Sequence, residues 1–218
     1  MFTPAALRLF RKDSGGSSDQ TRVIDGPNIQ YASDWSRDGR FLIYNENAPD
    51  TQRDLWIVPF TAEGKVAENA KPRPYLRTRF SETNARFSPE PNPHWVAYQS
   101  DKTGRYEVYI QSFPEPHGEV PISTGGGQYP EWGAGGRELF YVAPDNKLMT
   151  VDLKITGDSV QRSTPRALFT LPIIDNGWSP YDSIDGQRFL VRAVPQQAPP
   201  MTVIVNWPAL LKRGAAGQ

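Results

Sequence analysis

The sequence predicts an all-β fold of repeated, four-stranded antiparallel sheets, and three observations support this prediction. The first is a unit that occurs four times, in which an aromatic-flanked turn is followed by two apolar runs. The second is spacing, because 52, 45 and 50 residues separate the equivalent positions Trp35, Phe87, Trp132 and Asp182. The third is composition, since 18 glycines and 21 prolines in 218 residues suit short strands joined by turns. A period of about 40 to 50 residues is typical of β-propeller blades.

Each copy of the unit predicts a tight hairpin followed by buried strands. In the first copy, residues 36–39 form the turn, and residues 41–44 and 54–59 form the strands. Asp38 can accept bonds from local amides and Gly39 tolerates a positive φ, as a tight hairpin requires. Short apolar runs such as these favour strands that are buried on both faces, as they are in stacked sheets. The corresponding runs of the other copies are residues 95–98 and 107–110, 139–142 and 147–152, and 189–191 and 202–205.

Weaker segments predict the outer strands and the ends of the array. The turn of the second copy, residues 90–94, contains two prolines and is expected to be wider and exposed to solvent. The predicted fourth strands are residues 74–76, 120–123 and 167–169. The predicted end strands are residues 7–10 and 21–24, joined by a flexible linker over 12–20, and residues 203–206.

The predicted organisation is one propeller domain with three complete blades and two partial ones. Its parts are a partial blade over 1–30, blades over 31–79, 80–124 and 125–177, a partial closing blade over 178–211, and a disordered tail over 212–218. Because both ends offer a third strand, we expect the C-terminal part of a larger propeller with blades missing upstream. Open blade edges then predict self-association or the need for a partner.

Charge and composition exclude several classes of ligand. Lys plus Arg and Asp plus Glu each number 24, so the formal net charge is zero and favours neither nucleic acid nor an anionic membrane. The absence of cysteine excludes disulfides, thiolate metal ligands and a cysteine nucleophile. No apolar stretch approaches the roughly 18 residues of a membrane span. Arg11 and Lys12 follow the apolar N-terminal positions, which is the wrong order for a signal peptide.

The sequence does not specify the cellular compartment of the protein. The chain as given predicts a cytoplasmic protein, whereas part of a longer, membrane-anchored protein would be extracytoplasmic.

The sequence Trp-Ser-Arg-Asp-Gly-Arg-Phe-Leu-Ile-Tyr at residues 35–44 resembles the repeats of TolB-like, WD-repeat-like β-propellers of bacteria. Parts of the pattern recur at residues 87–89 and 185–191, and the resemblance covers about residues 5–207. The ending at residues 201–207 resembles the close of propellers found at the C-termini of bacterial serine/threonine kinases. The resemblance implies the propeller fold and a role in binding partners or sensing ligands, without implying any catalytic residue.

The sequence contains no catalytic constellation. The kinase motifs are absent, and glycines 125–127 precede a strand rather than the helix that a phosphate loop needs. The Gly-x-Ser-x-Gly motif of serine peptidases is approached only at residues 177–181, where Tyr181 replaces the second glycine. His94 and His117 are the two histidines, and both lie in predicted loops. We therefore expect a chain that is not an enzyme, with no catalytic, cofactor-binding or metal residues and no cofactor.

Three further groups of residues have a structural interpretation that is favoured over a functional one. Asp182 and Asp185 beside Gly186 lack the alternating ligands of a calcium loop and indicate a capped turn. A basic cluster could contact an acidic partner but better suits a solvated outer strand; it comprises Lys71, Arg73, Arg77 and Arg79. The tryptophans at repeat positions are expected to pack in the blade core rather than to serve as platforms for sugars or bases; they are Trp35, Trp56, Trp95 and Trp132. Trp178 lies outside the repeated run, so exposure is an alternative, but packing is favoured.

The function that these observations favour is a non-enzymatic β-propeller scaffold that binds a protein or another ligand through its blade rims and channel mouth. The expected partner is a protein or the remainder of a longer polypeptide, with no nucleic acid and no membrane insertion by this segment. Two alternatives stay open. One is a sensor or regulatory domain of a bacterial serine/threonine kinase, and the other is the non-catalytic propeller of a prolyl-oligopeptidase-like serine peptidase.

Overall fold

The structure is a computed structural model that describes residues 7–12, 14–16, 19–67, 71–172, 177–183 and 185–193. The predicted strand at 203–206 and the predicted disordered tail at 212–218 lie outside these residues. Within the described ranges the fold is all-β, with one short turn of 3-10 helix at Ala134–Gly136. In this part of the chain no helix is long and apolar enough to cross a membrane.

The fold begins with two short antiparallel strands and a complete four-stranded sheet. The N-terminal pair consists of Phe10–Arg11 (β1) and Thr21–Arg22 (β2), which are shorter than predicted. Blade I is an antiparallel meander of Gln30–Trp35 (β3), Phe41–Ala48 (β4), Gln52–Pro59 (β5) and Arg73–Leu76 (β6).

Blade II repeats this meander. Its strands are Glu82–Phe87 (β7), Trp95–Ser100 (β8), Glu107–Ser112 (β9) and Val120–Pro121 (β10), hydrogen-bonded in that order. The outer strand β10 is only two residues long although a strand over residues 120–123 was predicted. Pro121 has no N–H to donate to the ladder, which explains the short pairing.

Blade III departs from the repeat at its third strand. It consists of Gln128–Trp132 (β11), Glu138–Val142 (β12), Lys147–Thr156 (β13) and Arg166–Thr170 (β15), with Ser159–Arg162 (β14) as an extra strand. The first half of β13 pairs with β15 and the second half with β14. This hairpin was not predicted, and its turn is made by Gly157 at a φ of +57°.

The C-terminal pair consists of Tyr181–Asp182 (β16) and Leu190–Val191 (β17), which pair antiparallel as the first two strands of a further sheet.

The sheets stack face to face, and a cluster of buried side chains fills each of the four junctions. Strand β8 shows why its apolar run is continuous. Val96 and Tyr98 pack toward blade I, whereas Trp95 and Ala97 pack toward blade III. The innermost strand β7 also contacts both β3 and β11, the innermost strands of its neighbours. The described residues therefore form an incomplete β-propeller with three complete blades and two partial ones.

The hairpin turns have the predicted chemistry. In the second copy a glutamate accepts the amide hydrogen bond that an aspartate accepts in the first. In blade I, Ser36 Oγ accepts from Phe41 N at 2.9 Å, and Asp38 accepts from Arg40 N at 3.0 Å. In blade II, Ser88 Oγ accepts from Trp95 N at 3.0 Å, and Glu90 accepts from His94 N at 2.9 Å. Glutamate replaces aspartate because the proline-containing turn is wider.

The ends of the array expose apolar side chains. Leu7 and Phe10 are exposed at the N-terminal pair, and Leu190 is 77% exposed at the C-terminal pair. Trp35, predicted to lie in the blade core, is 39% exposed and lies at the edge of the core. It covers Phe60, with the ring centroids 4.6 Å apart.

Candidate functional site

The candidate site is a cavity at the mouth of the central channel, where the innermost strands begin. Each of β3, β7 and β11 carries an irregularity in its pairing at the same height, next to Ser33, Asn84 and Tyr129 respectively. Asn84 and Tyr129 have φ values of +52° and +57°. Irregularities of this kind redirect side chains out of the regular pleat. Here they surround one cavity of about 820 Å³, which we call the channel-mouth cavity.

Hydrogen-bonding side chains and aromatic rings line the channel-mouth cavity. Thr83, Asn84 and Gln128 lie along the inner strands of blades II and III. Tyr31 and Trp178 contact each other edge to face, with ring centroids 6.3 Å apart. Trp178 is 61% exposed, so the prediction that it packs in the core was wrong. An aromatic ring that is half exposed beside polar groups is a common feature of binding surfaces.

A chain of polar contacts joins four successive sheets beside this cavity. One residue of each inner strand takes part, at the position directly before the equivalent residues Trp35, Phe87, Trp132 and Asp182. The four residues are Asp34, Arg86, Glu131 and Tyr181. Arg86 Nε donates to Glu131 Oε2 at 2.8 Å, and its Nη1 donates to the carbonyl of Ser33. Asp34 accepts from Phe87 N at 2.8 Å, and the Tyr181 hydroxyl donates to Tyr129 O at 2.8 Å.

Burial sets the electrostatics of this chain. It raises the pKa of Asp34 and of Glu131, and the nearby Arg86 guanidinium offsets part of each rise. Burial lowers the pKa of Arg86, but Glu131 and Asp34 outweigh it, so the net shift is upward and the guanidinium stays charged. Burial also raises the pKa of Tyr181 well above its ordinary value, which keeps the hydroxyl a donor. The alternating charges therefore hold neighbouring blades together at the channel.

These four residues were not predicted as a group, although the sequence carries a signal for ion pairs between blades. Aspartate, arginine and glutamate occupy one repeat position in three successive copies, each directly before an aromatic residue, which is Trp35, Phe87 or Trp132. Charges of alternating sign at one position of a stacked repeat indicate ion pairs between repeats.

Amide side chains on the second strands hold the starts of the next inner strands. Asn45 Nδ2 donates to Glu82 O at 2.8 Å, and Gln99 Oε1 accepts from Tyr129 N at 2.8 Å. Asn45 and Gln99 are opposite Tyr31 and Thr83 in their own blades. They occupy the same position of the repeat, and each side chain holds the start of the next inner strand beside the cavity.

Glu82, at the start of β7, is a buried carboxyl group with one oxygen satisfied. Thr78 and Ser100 donate to its Oε1 at 2.6 Å and 3.4 Å. Its Oε2 is buried and has no hydrogen-bond partner among the described residues. Burial raises the pKa of Glu82 to about 7, and Asp54 and Asp101 add to the rise.

The candidate residues for catalysis lie apart from one another. His94 is in the wide turn of blade II at the opposite end of the strands, with its Nδ1 3.4 Å from Glu90 Oε1. It lines a cavity of about 930 Å³ beneath the β13–β14 hairpin, and His117 lines a smaller one beside it. The Ser179 hydroxyl lies at the channel mouth and donates to Tyr181 O at 2.9 Å. Among the described residues no three Asp, Glu or His side chains form a group that could hold a metal ion.

The glycine run and the acidic turn have structural partners. Gly126 N donates to Glu107 Oε1 at 2.8 Å, within a turn that leads into β11. Asp185 accepts from the amides of Gln187 and Arg188 at 3.0 Å and 2.8 Å and pairs with the Arg188 side chain. These bonds lower the pKa of Asp185 to about 2.

The basic cluster of the sequence is distributed among separate partners. Arg73 pairs with Glu115 at 2.9 Å, and Arg77 pairs with Asp50 at 2.7 Å. The Arg79 guanidinium lies 4.9 Å from the centroid of the Phe80 ring. Exposed pairs of this kind contribute little stability, and they leave no concentrated basic patch on β6.

The fold and the cavity at its axis define the class of the protein as a β-propeller. No protein-family model matches the chain, and no curated protein matches it. Among solved structures, the chain is similar to one from Agrobacterium tumefaciens described as TolB, with 14% sequence identity and a TM-score of 0.49. The match covers 69% of this chain and 54% of that one, so the chain spans about half the length of that protein. The assignment to the propeller class itself rests on the order and stacking of the sheets.

Proposed function

We propose that this protein is a non-enzymatic β-propeller scaffold that binds an extended segment of a protein partner in the channel-mouth cavity. The observation that carries the proposal is a set of hydrogen-bonding groups without partners beside the exposed ring of Trp178 and the half-buried ring of Tyr31. The buried Thr83 hydroxyl has no partner in the described part of the chain. The side-chain amides of Asn84 and Gln128 line the same cavity and make no hydrogen bond there either. Buried polar groups are normally satisfied, so a ligand is a natural partner for them.

An extended polypeptide suits these groups chemically. A side-chain amide offers both donors and an acceptor, which is what the N–H and C=O groups of a peptide backbone require. The half-buried Tyr31 ring and the exposed Trp178 ring offer apolar surface to side chains of the same segment. The inner strands are held by bonds between blades, so the cavity needs little ordering when the segment binds.

The positions of the candidate nucleophile and bases support a role without catalysis. The Ser179 hydroxyl is engaged with a carbonyl two residues away. His94 and His117 line cavities at the other end of the strands. The two alternatives, a kinase-associated regulatory domain and the propeller of a serine peptidase, concern sequence beyond this chain and stay predictions.

Selection from a random peptide library on the purified full chain tests the proposal. We expect selected peptides to bind Trp178→Ala at least tenfold more weakly than the unmodified protein, because Trp178 supplies the exposed ring at the rim. Asn84→Gly removes a side-chain amide while allowing the positive φ, and it should weaken the same peptides.

The matched control is Phe169→Ala, since Phe169 is an aromatic residue of the outer strand β15 that is 41% exposed. It should leave binding unchanged. Peptides that bind all variants equally, or a selection that enriches no peptide at all, would overturn the assignment of the binding site.

A further inference from the structure

The channel-mouth cavity has an unbalanced charge. Its described lining includes the two arginines Arg53 and Arg86 and no aspartate or glutamate. The whole chain has equal numbers of acidic and basic residues, so the lack of aspartate and glutamate in the described lining does not reflect a shortage of acidic residues in the chain. A recessed surface that carries charge of one sign attracts ligands of the opposite sign.

The two arginines differ in their availability. Arg86 is held by Glu131 and by the carbonyl of Ser33, and Asp34 lies near enough to raise its pKa. Arg53 is at the start of β5, opposite Asn47, and its side chain is exposed. In the described ranges its guanidinium has no ion-pair or hydrogen-bond partner. The positive charge that a ligand can use is therefore that of Arg53.

The neighbouring groups can donate to the same ligand. Arg53 has five N–H donors, the amides of Asn84 and Gln128 have two each, and the Thr83 hydroxyl has one. The Arg53 guanidinium can only donate, so its best partner is a negatively charged acceptor, and a carboxylate is such a group. Hydrogen bonds between charged partners are also the stronger ones.

We propose that the segment bound in the channel-mouth cavity is acidic and that an Asp or Glu side-chain carboxylate of it pairs with Arg53. This inference rests on the proposed function, since it names the chemistry of the segment that the cavity takes. Tyr31 and Trp178 then contact an apolar or aromatic side chain next to the acidic one.

Three synthetic peptides with blocked ends test the inference on the full chain. Their sequences are Gly-Glu-Trp-Glu-Gly, the neutral Gly-Gln-Trp-Gln-Gly and the basic Gly-Lys-Trp-Lys-Gly. Fluorescence anisotropy gives the dissociation constants. We expect the acidic peptide to bind about tenfold more tightly than the neutral one, a difference of about 1.4 kcal/mol. The advantage should shrink as salt is raised from 50 to 300 mM.

Arg53→Gln should remove the advantage of the acidic peptide over the neutral one, so that the two dissociation constants become equal within twofold. Arg137→Gln is the matched control, because Arg137 is an exposed arginine that lines the cavity at the opposite end of the strands. It should change neither affinity.

The outcomes separate this inference from the proposed function. Equal binding of acidic and neutral peptides, with both weakened in Trp178→Ala, overturns the acidic specificity and keeps the binding site. An acidic preference that survives Arg53→Gln overturns the role of Arg53. If none of the three peptides binds, the inference and the proposed peptide site both fail.

Discussion

The buried carboxyl of Glu82 makes a sharp prediction about the pH dependence of stability. Its side chain is 2% exposed, and the burial of the carboxyl raises its pKa from 4.5 to about 7. The unfolded chain ionises near 4.5, so the folded state holds the proton more tightly between these two pH values. The contribution of Glu82 to stability is therefore complete below about pH 4.5, falls as pH rises, and levels off above about pH 7.

The size of the effect follows from this interval. At 1.36 kcal/mol per pH unit, the full loss is about 3 kcal/mol, of which about 2.5 kcal/mol falls between pH 5 and pH 8. Glu82→Gln removes the ionisation and keeps an oxygen that can accept from Thr78 and Ser100. Its amide adds a constant cost, because the site of Oε2 offers no partner in the described part of the chain. That cost does not depend on pH.

Urea unfolding of the two proteins at pH 5 and at pH 8 measures the difference. We expect the stability of Glu82→Gln relative to the unmodified protein to improve by about 2.5 kcal/mol from pH 5 to pH 8. The exposed Glu63 supplies a control, since Glu63→Gln should show no such change. A relative stability of Glu82→Gln that stays within about 0.5 kcal/mol across this range would mean that Glu82 ionises normally and that the reasoning from burial is wrong.

Two further predictions concern the contacts between and within blades. Arg86→Met leaves the half-buried carboxyl of Glu131 without its ion-pair partner and should cost about 2 kcal/mol in urea unfolding. The double variant with Glu131→Leu should recover part of that loss, and a double variant no more stable than the single one contradicts this account. Gly127→Ala would place a Cβ 2.6 Å from Ser123 Oγ and should lower the free energy of unfolding by about 1 to 3 kcal/mol. Gly125→Ala is the control, because its Cβ meets nothing within 4 Å, and it should be close to neutral. Equal thermal midpoints for the two variants would show that the turn adjusts freely.

The sequence was sufficient to predict the blades because their formation depends on local patterns. Apolar runs such as residues 95–98 and turns such as residues 36–39 specify strands and hairpins without knowledge of distant contacts. The β13–β14 hairpin was missed because β13 continues past the point where the other third strands end. Its one turn signal, Gly157, lies in a polar stretch without a repeat counterpart.

The candidate site was harder to predict, because its residues meet only when blades stack. Asn84 is redirected by an irregularity within β7, and although asparagine adopts a positive φ more readily than most residues, its residue type alone does not specify one. Trp178 was expected to be buried from the usual behaviour of tryptophan. Its exposure depends on where the channel opens, which is a property of several blades together.

The inner strands combine two roles that the repeat separates by position. The residue just before the turn, represented by Arg86, contacts the neighbouring blades and joins them through half-buried charges. The residues two and three positions earlier, Asn84 and Thr83 respectively, line the cavity and keep their hydrogen-bonding capacity in the described structure. Because the first position fixes the spacing of the blades, the second can vary without loss of the fold. Binding specificity is therefore expected to depend on the cavity positions, and substitutions there should alter affinity while leaving the unfolding free energy nearly unchanged.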